Sequence, residues 1–410
     1  MRIGMPIAVA LDALMTHKTR ALLTTLGIVI GVSAVIAMVA IGEGAKAKIQ
    51  ALFESMGTNM LIVTSGSGSA HGVQGGVGTL PTLTWGDLRA MREELPAVQR
   101  ASPLMMAALQ LTSTETNWNT SVQGVSPEYF EIRNWPVREG ALFFAEDGEI
   151  GNKVVVLGQT VVDKLFGASA NVVGETVRIR NAPFRIVGVL SPKGQMGMGQ
   201  DQDDAAFVPD KTFLAKLRGT GLGDRIPGVI LAQSKGTAAA AAAERQIVEL
   251  LRERHRVDNP DDDDFHVENL QQLVASFQDS LSTVTTLLGA VAAVSLLVGG
   301  IGIMNIMLVS VTERTQEIGL RMALGAKPRD IREQFLIEAV TLSLVGGILG
   351  ICLGIGVAVG LAGLFGWKLV LQPGIVLLST GFSAAVGVGF GFYPAQKAAR
   401  LDPIEAMRRE

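Results

Sequence analysis

The stretch that decides the fold is VTERTQEIGLRMALGAKPRDIREQFLIEAV, Val311 to Val340. It is charged and helical in pattern, and a long apolar run lies on either side. Glu317 and Arg321 stand four apart in the order that supports a helix, and Ile318 and Met322 share a second face. Gly325 stops that helix, and Pro328 suits the first turn of the next. On spacing alone the segment reads as a solvated loop between membrane helices or as a short helix that docks a partner at the membrane surface.

Upstream, Val267, Leu270, Val274, Phe277, Leu281 and Val284 are spaced 3, 4, 3, 4 and 3, a heptad seam. The seam runs without a Pro or Gly into an apolar stretch beginning near Leu287. A helix unbroken from Val267 to Val309 would be roughly 65 Å long, about twice what a bilayer needs. Its surplus must stand outside the membrane. A matching seam, Ala45, Ile49, Leu52 and Met56, follows the first apolar run. The two seams predict stalk segments at 43–58 and 267–284, which pair with each other, pair with a second copy, or pack under the globular domain.

Four uncharged or nearly uncharged runs are long enough to span: 21–42, 285–310, 335–364 and 373–393. The first could also be read as a signal peptide ahead of the A-x-A of Ala45 and Ala47, but it is longer than a usual apolar signal core. Ile7, Leu11 and Leu14 give residues 1–20 one apolar helical face, a helix lying on the membrane surface. Gly346, Gly350 and Gly354 repeat every four residues and predict close helix packing, as do Gly356 with Gly360 and the series Gly387, Gly389 and Gly391. Trp367 and Tyr393 suit interfacial anchors, and Pro394 is expected to end the last span ahead of a tail at 394–410.

Between spans one and two lies a domain at 43–280. Thr84 with Asp87 predicts a capped helix to Leu95. Strands are expected at 153–157, at 176–180 and 184–190 as a hairpin, and at 229–231, with helices at 159–166 and 237–256. The mixture makes an α+β globule. Asp201, Asp203 and Asp204 lack a calcium-loop pattern and read as a surface loop, and Asp261 to Asp264 as a solvated turn. His71 stands alone, and Met196 and Met198 sit in a glycine-rich loop. The expected fold is therefore an α-helical membrane protein with four transmembrane helices plus a large α+β extracytoplasmic domain inserted between helices 1 and 2.

Lys and Arg cluster in residues 1–20, in the loop 311–334 and in the tail, while the loop after the third span has only Lys368. The positive-inside rule puts both termini and the 311–334 loop in the cytoplasm; Lys46 and Lys48 count for little beside a large translocated domain. With 48% hydrophobic residues, 18% charged and a net charge of -3, nucleic acid binding has no electrostatic support. The single cysteine, Cys352, excludes an internal disulfide. Among motifs there is no nucleophile elbow, no zinc-spaced His pair and no Walker A lysine. The chain has no energy source of its own in view, yet it couples a charged helix on one side to a domain on the other.

LLTTLGIVIGVSAVIAMVAIGEGA, the 311–340 stretch and YPAQKAARLDPIEAMR resemble the signature stretches of the MacB/FtsX-type ABC transporter permeases. VVVLGQTVVDKLFG, GETVRIRNAPFRIVGVLSPKG and GQDQDDAAFVPDKT are similar to their periplasmic core domain. The resemblance covers nearly the whole chain. It implies a bacterial inner-membrane permease, a homodimer in membrane lipid, and an ABC ATPase docked on the 311–334 loop. ATP and Mg would then lie on the ATPase and no cofactor on this chain. It further implies that ATP-driven motion is relayed to the external domain, a mechanotransmission that serves efflux of drugs, peptides or lipids. Where the macrolide exporters carry a fused ATPase ahead of the permease, this chain opens at the surface helix, which leads us to expect the ATPase on a separate chain. A periplasmic adaptor and an outer-membrane channel are further expected partners. The alternatives are a membrane-anchored regulator of an external enzyme such as a wall hydrolase, and a lipoprotein-releasing permease. Carried onto this sequence, the coupling residues are Glu313, Arg314, Glu317, Ile318, Arg321 and Met322. The stalk seam is Ile49, Leu52, Met56, Leu270, Val274, Phe277 and Leu281. No catalytic or metal residue is expected.

Overall fold

The computed structural model describes residues 18–57, 59–66, 69–70, 73–74, 81–167, 171–195, 201–219, 223–365 and 373–408. The surface helix expected over 1–20, apart from its last three residues, lies outside them. So do His71, Met196, Met198, Trp367 and Lys368. In chain order the elements are α1 (Lys18–Met56), β1 (Met60–Ser65), β2 (Ser69–Ala70), β3 (Val73–Gln74), α2 (Trp85–Glu93), β4 (Val98–Thr112), β5 (Asn117–Val125) and α3 (Glu128–Ile132). Then come β6 (Val137–Gly140), α4 (Ala145–Glu149), β7 (Val154–Leu157), α5 (Gln159–Leu165), β8 (Thr176–Ile179), β9 (Ala182–Leu190), β10 (Ala205–Pro209), β11 (Val229–Ser234), α6 (Ala240–His255) and β12 (Phe265–Asn269). The chain finishes with α7 (Leu270–Glu313), α8 (Thr315–Ala323), α9 (Pro328–Phe365), α10 (Pro373–Ala399) and α11 (Pro403–Arg408). Two compact units result: Ile49–Phe277, and Met1–Lys48 with Gln278–Glu410.

The Ile49–Phe277 unit is built on one sheet in the order β12-β1-β11-β4-β5-β10-β7-β9-β6. β4 is 15 residues long and serves two neighbours in succession. Its first half pairs with β11, and Leu104 to Thr112 pairs with β5. At its end Leu111 and Thr112 also meet Ile179 and Arg178 of β8, which returns to β9. The pairings β4-β5-β10-β7-β9-β8-β4 therefore close a ring of strands, which removes edges that would otherwise stay unpaired.

Alternation in β1 shows how the sheet buries both faces. Leu61 and Val63 point to a core completed by Leu88 and Met91 of α2 and Ile247 and Leu251 of α6. Met60 and Ile62 point the other way, to Phe130, Trp135 and Phe207. Those three aromatics stack edge to face, with Phe207 centred 5.5 Å from Phe130 and 5.4 Å from Trp135. Gly57 ends α1 at φ +116, and a Cβ there would lie 2.3 Å from the Ile132 carbonyl oxygen. Only glycine allows that exit.

A polar clamp ties α2 to α6 at one end of the face that Leu61 and Val63 share with them. Thr84 and Asp87 form the capping box of α2, with the Thr84 amide donating to Asp87 Oδ2 at 2.9 Å. Arg254 Nε donates to Asp87 Oδ1 at 2.6 Å, and His255 lies between Asp87 and Asp264 at 3.1 and 2.6 Å. Arg252 holds Asp263 through two nitrogens at 2.8 and 2.7 Å. Asp263 and Asp264 are thus structural partners rather than members of a solvated turn. Asp203 is likewise no surface residue: it is 5% exposed and accepts the Lys193 and Gly194 amides at 2.8 Å each. Its carboxylate closes the loop after β9.

In the second unit, α1, α7, α9 and α10 are long and apolar enough to cross a membrane. The glycine repeat of α9 packs on α1. A Cβ at Gly346, Gly350 or Gly354 would meet Ile28, Val32, and Ile36 with Ser33, at 3.2, 2.8 and 3.0 Å. Gly27 abuts Gly299 of α7 in the same way. Gly387 and Gly391 face Ser343 and Ala339 of α9, but Gly389 has nothing within 4 Å and does not belong to that packing set.

Two expected boundaries are corrected, at Val267 and at Pro394. Val267 lies in β12, paired with Val63, so the long helix starts at Leu270 and the heptad spacing included one strand residue by coincidence. α9 begins at Pro328, where the sequence places the first turn of the next helix, and Asp330 caps it through the Lys327 amide at 3.0 Å; the apolar run from 335 is its later part. Pro394 lies inside α10, which runs to Ala399. Proline removes one N–H, but Ala395 and Ala398 are fully buried against the helical core and hold the following turn. The charged helix itself is Thr315–Ala323, so Glu313 and Arg314 of the expected coupling set lie ahead of it.

Candidate functional site

α7 ends at Glu313 and the chain turns before α8 begins. Hydroxyls make the turn. Thr312 Oγ1 donates to the Val309 carbonyl at 2.7 Å, and Thr315 Oγ1 to the Val311 and Thr312 carbonyls at 3.0 and 2.8 Å. These satisfy oxygens that a helix end leaves open. At the far end Gly325, φ +101, takes the left-handed conformation that stops the helix.

One face of α8 is built into the unit. Ile318 is 1% exposed and packs with Val311, Ile331 and Phe335, and Met322 lies half-buried beside them. Gly319 is buried against α11, where a Cβ would sit 2.8 Å from Ala406 Cβ. The expectation that Ile318 forms part of a contact surface is therefore corrected: it belongs to the core, and Met322 is mostly spent there too.

The outward face carries Glu317, Leu320 and Leu324, with the two leucines 54% and 81% exposed. Arg321 Nη2 donates to Glu317 Oε1 at 2.5 Å, and its Nη1 to Gln334 Oε1 of α9 at 3.2 Å. Arg314 Nη1 reaches the buried Glu338 Oε2 at 3.4 Å, pinning the turn to the same helix. Glu313 is exposed at the end of α7. The face thus sets two exposed leucines beside a Glu317–Arg321 ion pair on a helix fixed from behind, a shape for binding rather than reaction. Leu320 and Leu324 were missed from sequence, although their four-residue spacing with Gln316 was there to be read. Among the described residues no three His, Cys, Asp or Glu side chains are grouped to hold a metal.

The stalk residues fall as follows. Met56 and Leu270 enter the core cluster of the Ile49–Phe277 unit, together with Phe53 and Leu273, which the spacing had not singled out. Phe277 meets Phe53 with ring centroids 6.5 Å apart. Val274 lines a cleft between these helix segments, and Ile49, Leu52 and Leu281 are half-buried. Over this part the two helix segments touch through Phe53 and Phe277, while Met56 and Leu270 turn into the globular core.

Residues 21–250 match the MacB-like periplasmic core domain, and residues 289–403 the FtsX-like permease C-terminal domain. The Macrolide export ATP-binding/permease protein MacB of Syntrophobacter fumaroxidans is 41% identical over 98% of this chain and 63% of its own. The protein of that name from Azoarcus sp. is 44% identical over 98% of this chain and 59% of its own. The chain thus spans about three fifths of the length of these relatives. Among solved structures, the periplasmic region of MacB from Actinobacillus actinomycetemcomitans is 24% identical over 55% of this chain and 95% of that one, with a TM-score of 0.44.

Proposed function

The chain belongs to the family of MacB-like, FtsX-type ABC transporter permeases, and on that premise we propose that it relays ATPase-driven motion across a bacterial inner membrane to the Ile49–Phe277 unit. The ATPase, with its ATP and Mg, sits on the α8 surface, whether it is carried on another polypeptide or elsewhere on the same one. The permease acts as a homodimer. The positive-inside rule puts α8 and both termini in the cytoplasm and the Ile49–Phe277 unit outside. Efflux of an amphipathic cargo, with an adaptor and an outer-membrane channel, follows the names of the relatives.

The observation that carries this reading is α8 itself. A helix of nine residues buries Ile318 and Gly319 yet exposes Leu320, with Leu324 exposed at its C-cap, and it follows directly on the 44-residue helix α7. Exposed leucines on a helix held rigid from behind are what a partner's groove takes. A push on α8 is delivered to α7 through the Thr315 contacts and to α9 through Arg314–Glu338.

The test is capture of the ATPase by the purified permease. Leu320→Asp should lower co-purification about tenfold or more, since a buried apolar anchor is typically worth over 1 kcal/mol. Its own thermal midpoint should not change, because Leu320 is exposed. Undiminished capture would rule out α8 as the docking helix.

A further inference from the structure

The second face of the sheet in the Ile49–Phe277 unit is not filled by its aromatics. A cavity of about 620 Å³ remains, in the range that small-molecule sites occupy. Its walls are largely apolar: Met60, Leu104 and Met106 on the strands, with Trp135 beside them. One buried polar side chain lines it without having met its needs. Arg133 is 8% exposed, and its Nε is unpartnered.

Arg133 has only partial compensation. Nη2 donates to Gln202 Oε1 at 2.8 Å, and the guanidinium lies 5.9 Å from the Trp135 ring centroid. Among the described residues no carboxylate pairs with it. Asp201 and Asp204 also line the cavity, but each is already engaged. Asp201 accepts from Thr160 Oγ1 at 2.6 Å and from the Asp203 amide at 2.9 Å. Asp204 accepts from Trp118 Nε1 at 2.9 Å. A second cation is close, for Lys193 Nζ donates to the Arg133 carbonyl at 2.5 Å and lies 5.1 Å from the same ring. A buried guanidinium short of an anion, in a mostly apolar cavity, is costly unless something completes it.

We propose that this cavity binds an amphiphilic anion, its apolar body against Met60, Leu104 and Met106 and its single carboxylate or phosphate on Arg133. The headgroup takes the free Arg133 N–H, and the body displaces water from the methionine-rich wall, whose flexible side chains adapt to varied chains and rings. The proposal rests on this cavity and not on α8, so either reading can fail alone.

The test uses the full chain in nanodiscs of phosphatidylcholine, photolabelled with a diazirine-bearing dodecanoic acid and mapped by mass spectrometry. Label is expected on peptides holding Met60, Met106 or Trp135. Decanoate and decyl phosphate should compete, and whichever competes better identifies the preferred headgroup. Decanol and inorganic phosphate, each half of the ligand, should compete at least about tenfold less well, as loss of a charge-assisted hydrogen bond requires. Arg133→Gln should cut labelling by a similar factor. Met106→Glu, at an exposed rim position, should do the same by repulsion without touching the core, and it covers the case in which the Arg133 variant does not fold. Label confined to the membrane helices, or equal competition by decanol, would overturn the proposal. So would full labelling of Met106→Glu.

Discussion

His255 sits with Nδ1 2.6 Å from Asp264 and Nε2 3.1 Å from Asp87, and its side chain is 9% exposed. The hydrogen bonds to Asp264 and then Asp87 outweigh burial and push its pKa up to about 9. Burial alone would raise the Asp87 carboxyl, but bonds from His255, Arg254 and Thr84 hold it well below the usual carboxylate range. The two shifts describe one interaction. For the imidazole, raised when folded, the stabilisation is full below about 6.5 and is lost as pH rises toward 9. For the carboxylate, depressed when folded, it is present above about 3.9 and lost as pH falls further. The thermal midpoint of the purified chain should therefore drop between pH 6.5 and 9, by the equivalent of about 2–3 kcal/mol. His255→Gln should flatten that limb, and an unchanged slope in the variant would remove the clamp from the account. At the same scale, Arg321→Glu loses the bonds to Glu317 and Gln334 and sets two acids against each other. Substrate-stimulated ATP hydrolysis should fall several-fold in the assembled complex while the chain still inserts; full stimulation would argue against α8. Thr84 and Asp87 could be found from sequence because a capping box is local. The contacts of His255 with Asp87 and of Arg133 with Gln202 could not, because their partners lie 168 and 69 residues away along the chain.

At the scale of elements, Phe277 is 48% exposed yet stacked on Phe53, a contact held by few neighbours. Phe277→Asp should break it, leaving ATP hydrolysis near normal and transport largely lost; full transport in that variant would deny these helix segments a relay role. Gly354→Ile tests helix packing. Its Cβ would lie 3.0 Å from Ser33 backbone atoms, which cannot move aside as a side chain could. Overpacking of this kind costs about 1–3 kcal/mol, and the variant should accumulate poorly and be cleaved readily in limited proteolysis, whereas Gly356→Ile, with open space around it, should not. The long helices were legible because apolar runs of that length have few other readings. β4 and β5 were not. Their register is set by partners as distant as β8 and β10. Val267 fitted a heptad on spacing alone while belonging to a strand.

At the scale of the whole molecule, only about a third of the residues in each spanning window are buried within the chain. Leu287, Val291, Val294 and Val298 of α7 are all more than 45% exposed. Such a surface is stable only against lipid or a second copy of the chain. The division into two units turns on helices, α1 and α7, whose sequences run on through both unit boundaries. That continuity is what makes relay of motion a mechanical expectation. It is tested most directly by pulsed-dipolar distances between spin labels at Asp279→Cys in the two copies of a Cys352→Ser chain, assembled with its ATPase. Trapping with ATP and vanadate should shift the distance distribution by several ångströms, and Arg321→Glu should abolish the shift. An unchanged distribution in a complex that still hydrolyses ATP would contradict the account.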